Sequence, residues 1–373
     1  MLPAERLVCA FKGIKTEILP WFADLTYWYH SQLESSKLPE KYKGGEGRLQ
    51  LYKDLGCGAH EELYGSVVEI KHKKVKFKRY TVEDSKTGTV EEVVYYTPLG
   101  ELRGVRKYSR RSFSSAIIKH FVSTRKDLKI LRYIYEDMTI KPSREAYERQ
   151  DRLMKIWDGW GIVSSLPPRT PFARMLIEWA GVVNTFRLCY RYREDFEETI
   201  EVMERTDDPI YDAIMDAPAD FVYFGDNISS DVVGTKFFLK YYSPYYKKRA
   251  EQLHKKNKMI YVHIDGRLKG VLEYVGETGV DCAQSLTPAP AGDVELEKFR
   301  ELAGPNIVLW GGLPGIFFSN KYHISNLINM TKKIIELYSN DSRFIVGVAD
   351  QVPPDGDISR VKLVTKILEK KHD

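Results

Sequence analysis

The stretch "KMIYVHIDG" (258–266) decides how this chain is read. It begins as an apolar run and ends on a His, an Asp and a Gly. Side chains alternate along a strand, so residues two apart share a face. If Val262 and Ile264 pack outward, His263 and Asp265 share the inner face. A buried carboxylate is costly unless it is paired, hydrogen-bonded or bound to a metal. The run therefore reads as a buried strand that carries chemistry at its C-terminal end.

Similar runs recur after about residue 158. They are "GWGIVSSLP" (159–167), "DFVYFGDN" (220–227), "VDCAQSLTP" (280–288), "NIVLWGGLPG" (306–315) and "RFIVGVADQVP" (343–353), with "EILPWFADLT" (17–26) as an earlier member. Between them lie segments such as "NLINMTKKIIELYSN", amphipathic at helical spacing. Strands alternating with helices predict a parallel sheet. Seven candidates, with one more short enough to escape notice, predict an α/β fold: a (β/α)8 barrel of the TIM type. Each run starts apolar and finishes polar, as barrel strands do where their C-terminal ends form the mouth. A doubly wound open sheet is the other arrangement this pattern permits, but no GxGxxG follows a strand.

Residues 64–97 break the pattern. β-branched and aromatic residues alternate around "DSKTGT", which predicts a β-hairpin insertion. The expected organisation is a single barrel domain over 1–373 with that hairpin inserted. The loops "GGEG" (44–47) and "GCGAH" (56–60) lack the P-loop form, and Cys57 with His60 reads as part of a flexible loop.

The chain has 373 residues, 43% of them hydrophobic, with 57 basic against 52 acidic residues. So even a balance does not point to nucleic acid; the lysines of "KHKKVKFKR" (71–79) read as the solvated face of a hairpin. The four cysteines form no CxxC pair, which favours a reducing, cytoplasmic setting. No stretch reads as a signal peptide or a membrane span.

Candidate chemistry gathers at the ends of the runs. Asp226 ends "VYFGDN" beside Asn227, Asp350 follows "VGVA", and Gln284 lies in "CAQSL". His263 with such carboxylates suits either a divalent metal or acid–base work. "WFADLTYWYH" (21–30) sets Asp24 among aromatics, of which Tyr27 and Trp28 are the candidates for ligand contact. No GxSxG occurs, so an esterase elbow is not supported.

The order of several motifs resembles the uroporphyrinogen decarboxylase superfamily, which holds tetrapyrrole decarboxylases and corrinoid-dependent methyltransferases. "AERLVCAFKGIKTEILPW" is similar to its N-terminal pattern, "TPFARMLIEWAG" to its "APFTL" segment, and "FGDNISSDVVGTKFFLKYYSPYYKK", "HIDGRLKGVLEYVGETGVD" and "WGGLPG" to later parts. The resemblance implies a barrel enzyme, with dimers common in the family. The decarboxylases carry "RQAGRY" after the first strand, and its two arginines bind substrate carboxylates. Here the matching stretch is "ADLTYWY", with Asp24 and Trp28 where the arginines would stand. The family tyrosine falls near Ile177, and the family aspartate at Asp265.

The methyltransferases have "HxCG" at this strand and a second cysteine in "GCGIPP"; these ligands bind zinc. His263 matches the His, while Asp265 and Asp350 take the two cysteine positions. The resemblance thus implies a His263, Asp265, Asp350 metal set for Zn2+, with Asp265, His263 and Asp226 as catalytic groups. Asp24, Tyr27, Trp28, Asn227 and Gln284 would bind substrate. The implied activity moves a methyl group between a small methylated substrate and a corrinoid (cobalamin) carried by a partner protein. A decarboxylase of a tetrapyrrole or related carboxylate, and a non-catalytic tetrapyrrole- or corrinoid-binding subunit, are the alternatives.

Overall fold

The computed structural model describes residues 1–62 and 66–370. These divide into two compact units, the first formed by 1–65, 145–166 and 217–373, the second by 66–144 and 167–216.

The first unit is the barrel. Its strands are β1 (Trp21–Phe22), β2 (Ala59–Glu62), β3 (Gly161–Ser165), β4 (Phe221–Ile228), β5 (Met259–Ile264), β6 (Cys282–Leu286), β7 (Val308–Pro314) and β8 (Phe344–Ala349). They form one eight-stranded sheet whose order runs from β1 through β8, β7, β6, β5, β4 and β3 to β2, with every pairing parallel. A parallel bridge between Phe22 and Gly58 closes the ring. The Gly58 N–H donates to the Trp21 carbonyl at 2.9 Å, and the Ala23 N–H donates to Gly58 at 3.3 Å. Gly58 is needed there, because a Cβ would come within 2.6 Å of the Phe22 ring.

The strands are apolar on both faces because helices cover the outside and side chains fill the inside. Phe22, Ile162, Tyr223, Tyr261, Cys282, Trp310 and Ile345 all belong to one buried cluster. Gly347 leaves room for the Trp310 indole, which lies within 2.6 Å of where a Cβ would sit. The covering helices follow their sequence pattern. In Ile324–Tyr338 the buried residues Leu327, Thr331, Ile334, Ile335 and Tyr338 make one stripe at helical spacing.

The second unit is larger than the hairpin expected over 64–97. Strands Lys76–Ser85 and Gly88–Thr97 do form that hairpin, but "TPLG" turns the chain back rather than ending the sheet. Gly100–Ser109 and Ser114–Lys119 extend it to four antiparallel strands. Val68–His72 pairs separately with Met138–Pro142. Residues 63–65, where the expected hairpin begins, lie outside the described residues. In "GELRGVRKYS" the adjacent charges Arg106 and Lys107 and the interior Gly104 break the alternation that marks a strand.

Two buried carboxylates, Asp207 and Asp137, hold the second unit. The Arg174 guanidinium donates to both Asp207 carboxylate oxygens, at 3.0 and 2.5 Å, with both side chains almost fully buried. Asp137 accepts from the backbone N–H groups of Lys74 and Val75. Burial alone would raise the Asp137 pKa, but these amides and the nearby His72 outweigh it and hold the carboxyl below its ordinary value.

Arg174→Met leaves the Asp207 carboxylate buried without its counter-ion, and should cost roughly 3–5 kcal/mol of stability. Arg174→Met/Asp207→Leu should recover most of that loss; urea denaturation of both variants checks it. Because the folded Asp137 pKa is depressed, its contribution is full above the unfolded carboxylate value of about 3.9. It fades as pH falls through the lower, folded value. Asp137→Ala should therefore lower the melting temperature at neutral pH, and the gap to the native protein should close in strong acid. A gap that persists unchanged at low pH contradicts this assignment.

Candidate functional site

The inner face of β5 carries Tyr261 and then His263 toward the barrel's C-terminal end. His263 is registered beside Gln284 on β6, which in turn is registered beside Trp310 on β7. All three are buried. The His263 Nδ1 is 2.7 Å from Gln284 Oε1. A carboxamide oxygen only accepts, so Nδ1 carries the proton and Nε2 is left facing the mouth. Nε2 lies 3.9 Å from a carboxylate oxygen of Asp350. The Tyr223 ring stands edge-on to the imidazole at 6.0 Å and limits its rotation.

Asp350 is held by an unusual backbone. It has φ +66°, and Ser285 at the end of β6 has φ +73°. Positive φ is uncommon outside glycine and requires support from its surroundings. Here the two residues support one another, since the Asp350 N–H donates to the Ser285 hydroxyl at 2.5 Å. Asn227, near the end of β4, is a third such residue, at φ +49°. Three strained non-glycine residues thus stand at strand C-termini, where backbone strain is a sign of function.

A second polar group forms beside β1. Asp24 is buried. One carboxylate oxygen accepts from the Thr26 N–H at 2.8 Å, and the other accepts from the Gln351 amide at 3.0 Å and lies 3.8 Å from His60 Nε2. The His60 ring packs edge-on against Trp310 at 4.9 Å. The Val352 N–H donates to the Asp24 carbonyl at 2.9 Å. Residues 350–352 therefore connect the His263 group with the Asp24 group.

Other expected residues lie elsewhere. Asp226 is buried, but the Tyr246 hydroxyl donates to it at 2.5 Å, and Tyr246 also packs on Phe224. The register of β4 shifts between Phe224 and Ile228. Asp226 shares the helix-facing side of β4 with Phe224 and does not join the mouth group. Asp265 does not pair with His263: β5 ends at Ile264, Gly266 turns at φ +95°, and Asp265 is fixed through its N–H to the Ile228 carbonyl at 2.7 Å. The strand ends one residue too soon for Asp265 to share the inner face with His263. Trp28 donates its indole N–H to the Gly356 carbonyl at 3.1 Å, so it anchors the loop after β8. Tyr27 is half-buried and lies with Trp28 on the helix Thr26–Glu34, and Asn227 is exposed.

Zinc centres ordinarily need three or more protein ligands. Among the described residues, no group of three or more His, Cys, Asp or Glu side chains is gathered to share an ion. The set His263, Asp265, Asp350 does not fit such a centre, since Asp265 is absent from the His263 contacts. Thiolate chemistry is also disfavoured. Burial pushes the Cys57 thiol up to about 12, and burial likewise raises Cys282 inside the barrel.

His60, Gln351 and Ser285 were missed in the sequence. Gln351 had a usable signal, because it sits beside Asp350 at a strand terminus. His60 had little, because its strand is short and follows "GCG". Among the described residues no helix is long and apolar enough to cross a membrane.

Comparison with known proteins gives the family. No curated protein matches by sequence. A methyltransferase from Methanosarcina mazei is similar over 100% of both chains at 14% identity, with a TM-score of 0.64, which establishes a shared fold. A D-psicose 3-epimerase from Clostridium cellulolyticum H10 is similar over 61% of this chain and 83% of its own at 5% identity; its TM-score of 0.36 is too low to bear on function. The family model described as uroporphyrinogen decarboxylase (URO-D) matches residues 167–370. That match spans more than half of the sequence: the chain belongs to the uroporphyrinogen decarboxylase family.

Proposed function

We propose that the chain is a uroporphyrinogen decarboxylase-like enzyme that transfers a methyl group from a small oxygen- or nitrogen-methylated substrate to a corrinoid carried by a partner protein. The observation that carries this reading is the orientation of His263. Gln284 fixes the Nδ1–H tautomer, and Nε2 faces the mouth beside Asp350. When bound, the corrinoid supplies the atom that accepts the methyl group.

The protein's own task is the leaving group. As the carbon–oxygen or carbon–nitrogen bond breaks, its electron pair stays on the heteroatom, which must gain a proton. His263 delivers that proton from Nε2, beside the Asp350 carboxylate. The Ser285 hydroxyl keeps Asp350 in place by accepting from the Asp350 backbone N–H. Asp24, Gln351 and His60 form a second polar group that disfavours an anionic substrate. This group disfavours a tetrapyrrole polycarboxylate, because Asp24 stands where the decarboxylases carry a guanidinium.

Incubation with cob(I)alamin and a panel of methyl ethers and methylamines should form methylcobalamin from at least one substrate. His263→Ala should slow that transfer by roughly 10²–10⁴-fold. Consumption of uroporphyrinogen, with no transfer across the panel, would overturn the proposal in favour of decarboxylation. Gln284→Leu frees the imidazole to change tautomer, and should lower kcat by on the order of tenfold with a smaller change in KM. A change confined to KM would remove Gln284 from the orienting role.

A further inference from the structure

The second unit carries a cleft that the barrel chemistry does not use. It opens on one face of the four-stranded sheet and has a volume of about 510 Å³. The register assembles its floor. Phe77 stands opposite Tyr95, Arg79 opposite Val93, and Arg106 opposite both Glu91 and Ile117. Residues two apart on a strand share a face, so Arg79, Tyr95 and Arg106 project to the same side. Phe121 and the π-helical turn Met175–Trp179 supply the remaining wall.

The wall is aromatic. Tyr95, Phe121 and Trp179 contact one another with centroid separations of 5.7, 5.4 and 5.4 Å. The Trp179 indole N–H donates to the Tyr135 hydroxyl at 2.9 Å, which locks that ring in place. The Phe121 ring lies over Gly104, where a Cβ would come within 2.6 Å of it. The rings are thus fixed before any ligand arrives, which lowers the entropy cost of binding.

The cleft also has a spare cation. Arg169 pairs with Glu178 at 3.0 Å, and Arg79 lies 3.8 Å from Glu91. Arg106 is exposed, and among the described residues no carboxylate lies within ion-pair distance of it, although Glu91 stands across from it. Both Arg106 and Arg79 act on the Tyr95 hydroxyl against burial and Glu178, so their charges lie near the polar end of that ring. Two backbone irregularities shape the cleft: the register shift between Val105 and Arg106, and the π-helical turn. Such features gather at binding sites.

We propose that this cleft binds a small, flat aromatic carboxylate, with the carboxylate on Arg106 and the ring against Tyr95, Phe121 and Trp179. A guanidinium matches a carboxylate through paired N–H donors, and the volume falls within the roughly 300–1,000 Å³ of small-molecule sites. Polyanions suit it less, because Glu91 and Glu178 occupy the other two guanidiniums.

Calorimetric titration of the full chain with 2-naphthoate, and with the neutral 2-naphthamide, tests this. The acid should bind saturably at one site, and the amide at least about tenfold more weakly. Arg106→Gln should weaken the acid about tenfold, while His263→Ala leaves it unchanged. Equal affinity for acid and amide would overturn the proposal without need of any variant. So would an absence of saturable binding, or binding lost in His263→Ala and kept in Arg106→Gln, which would move the ligand to the barrel mouth.

Discussion

Two backbone hydrogen bonds between residues 21–23 and Gly58 close the eight-stranded sheet, and the candidate site depends on that closure. An open sheet would leave Asp24 and His60 at one edge and at the other, with no shared mouth. In the closed ring they approach to 3.8 Å. The contact tolerates no side chain at residue 58, since the Phe22 ring occupies that space. One small residue therefore joins β1 to β2 and brings a carboxylate and an imidazole together from strands that are far apart in the chain.

The mouth has a graded construction. Its floor is the ring of large side chains around Tyr261 and Trp310, which Gly347 leaves room to pack. Above the floor, polar groups satisfy one another: buried Gln284 with buried His263, and half-buried Gln351 with buried Asp24. Burying such groups is favourable only when each finds its partner, and the pairings in turn fix orientation. At the rim, Asp350 is exposed and strained, supported by Ser285. Rigidity below and a supported, reachable carboxylate above suit a site that must position one proton.

Much of this was legible in the sequence, and the failures have physical causes. Seven apolar runs with polar ends read directly as barrel strands, because parallel strands buried on both faces are continuously apolar. The eighth, Ala59–Glu62, was lost because its two acidic residues and the preceding glycines look like a loop. His263, Gln284 and Asp350 stand out in the sequence by their positions near strand ends, and the structure brings the three side chains close together. Asp265 leaves the His263 face because β5 stops at Ile264, and Asp226 shares the helix-facing side of β4 with Phe224, where the Tyr246 hydroxyl donates to it. His60 and Gln351 enter the site only through closure, which no local pattern reveals. The second unit is larger than its hairpin because Gly100–Ser109, with adjacent charges and an interior glycine, and the short Ser114–Lys119 carry no clear period-two pattern.

The account turns on one atom, Nε2 of His263, offered to the mouth by a fixed tautomer. Nitrogen-15 NMR of histidine-labelled protein observes it directly. The account predicts that neutral His263 carries its proton on Nδ1, with an unprotonated, unmetallated Nε2, and that Gln284→Leu removes this preference. A neutral His263 protonated on Nε2, or an Nε2 shift characteristic of a metal-bound imidazole, would contradict it.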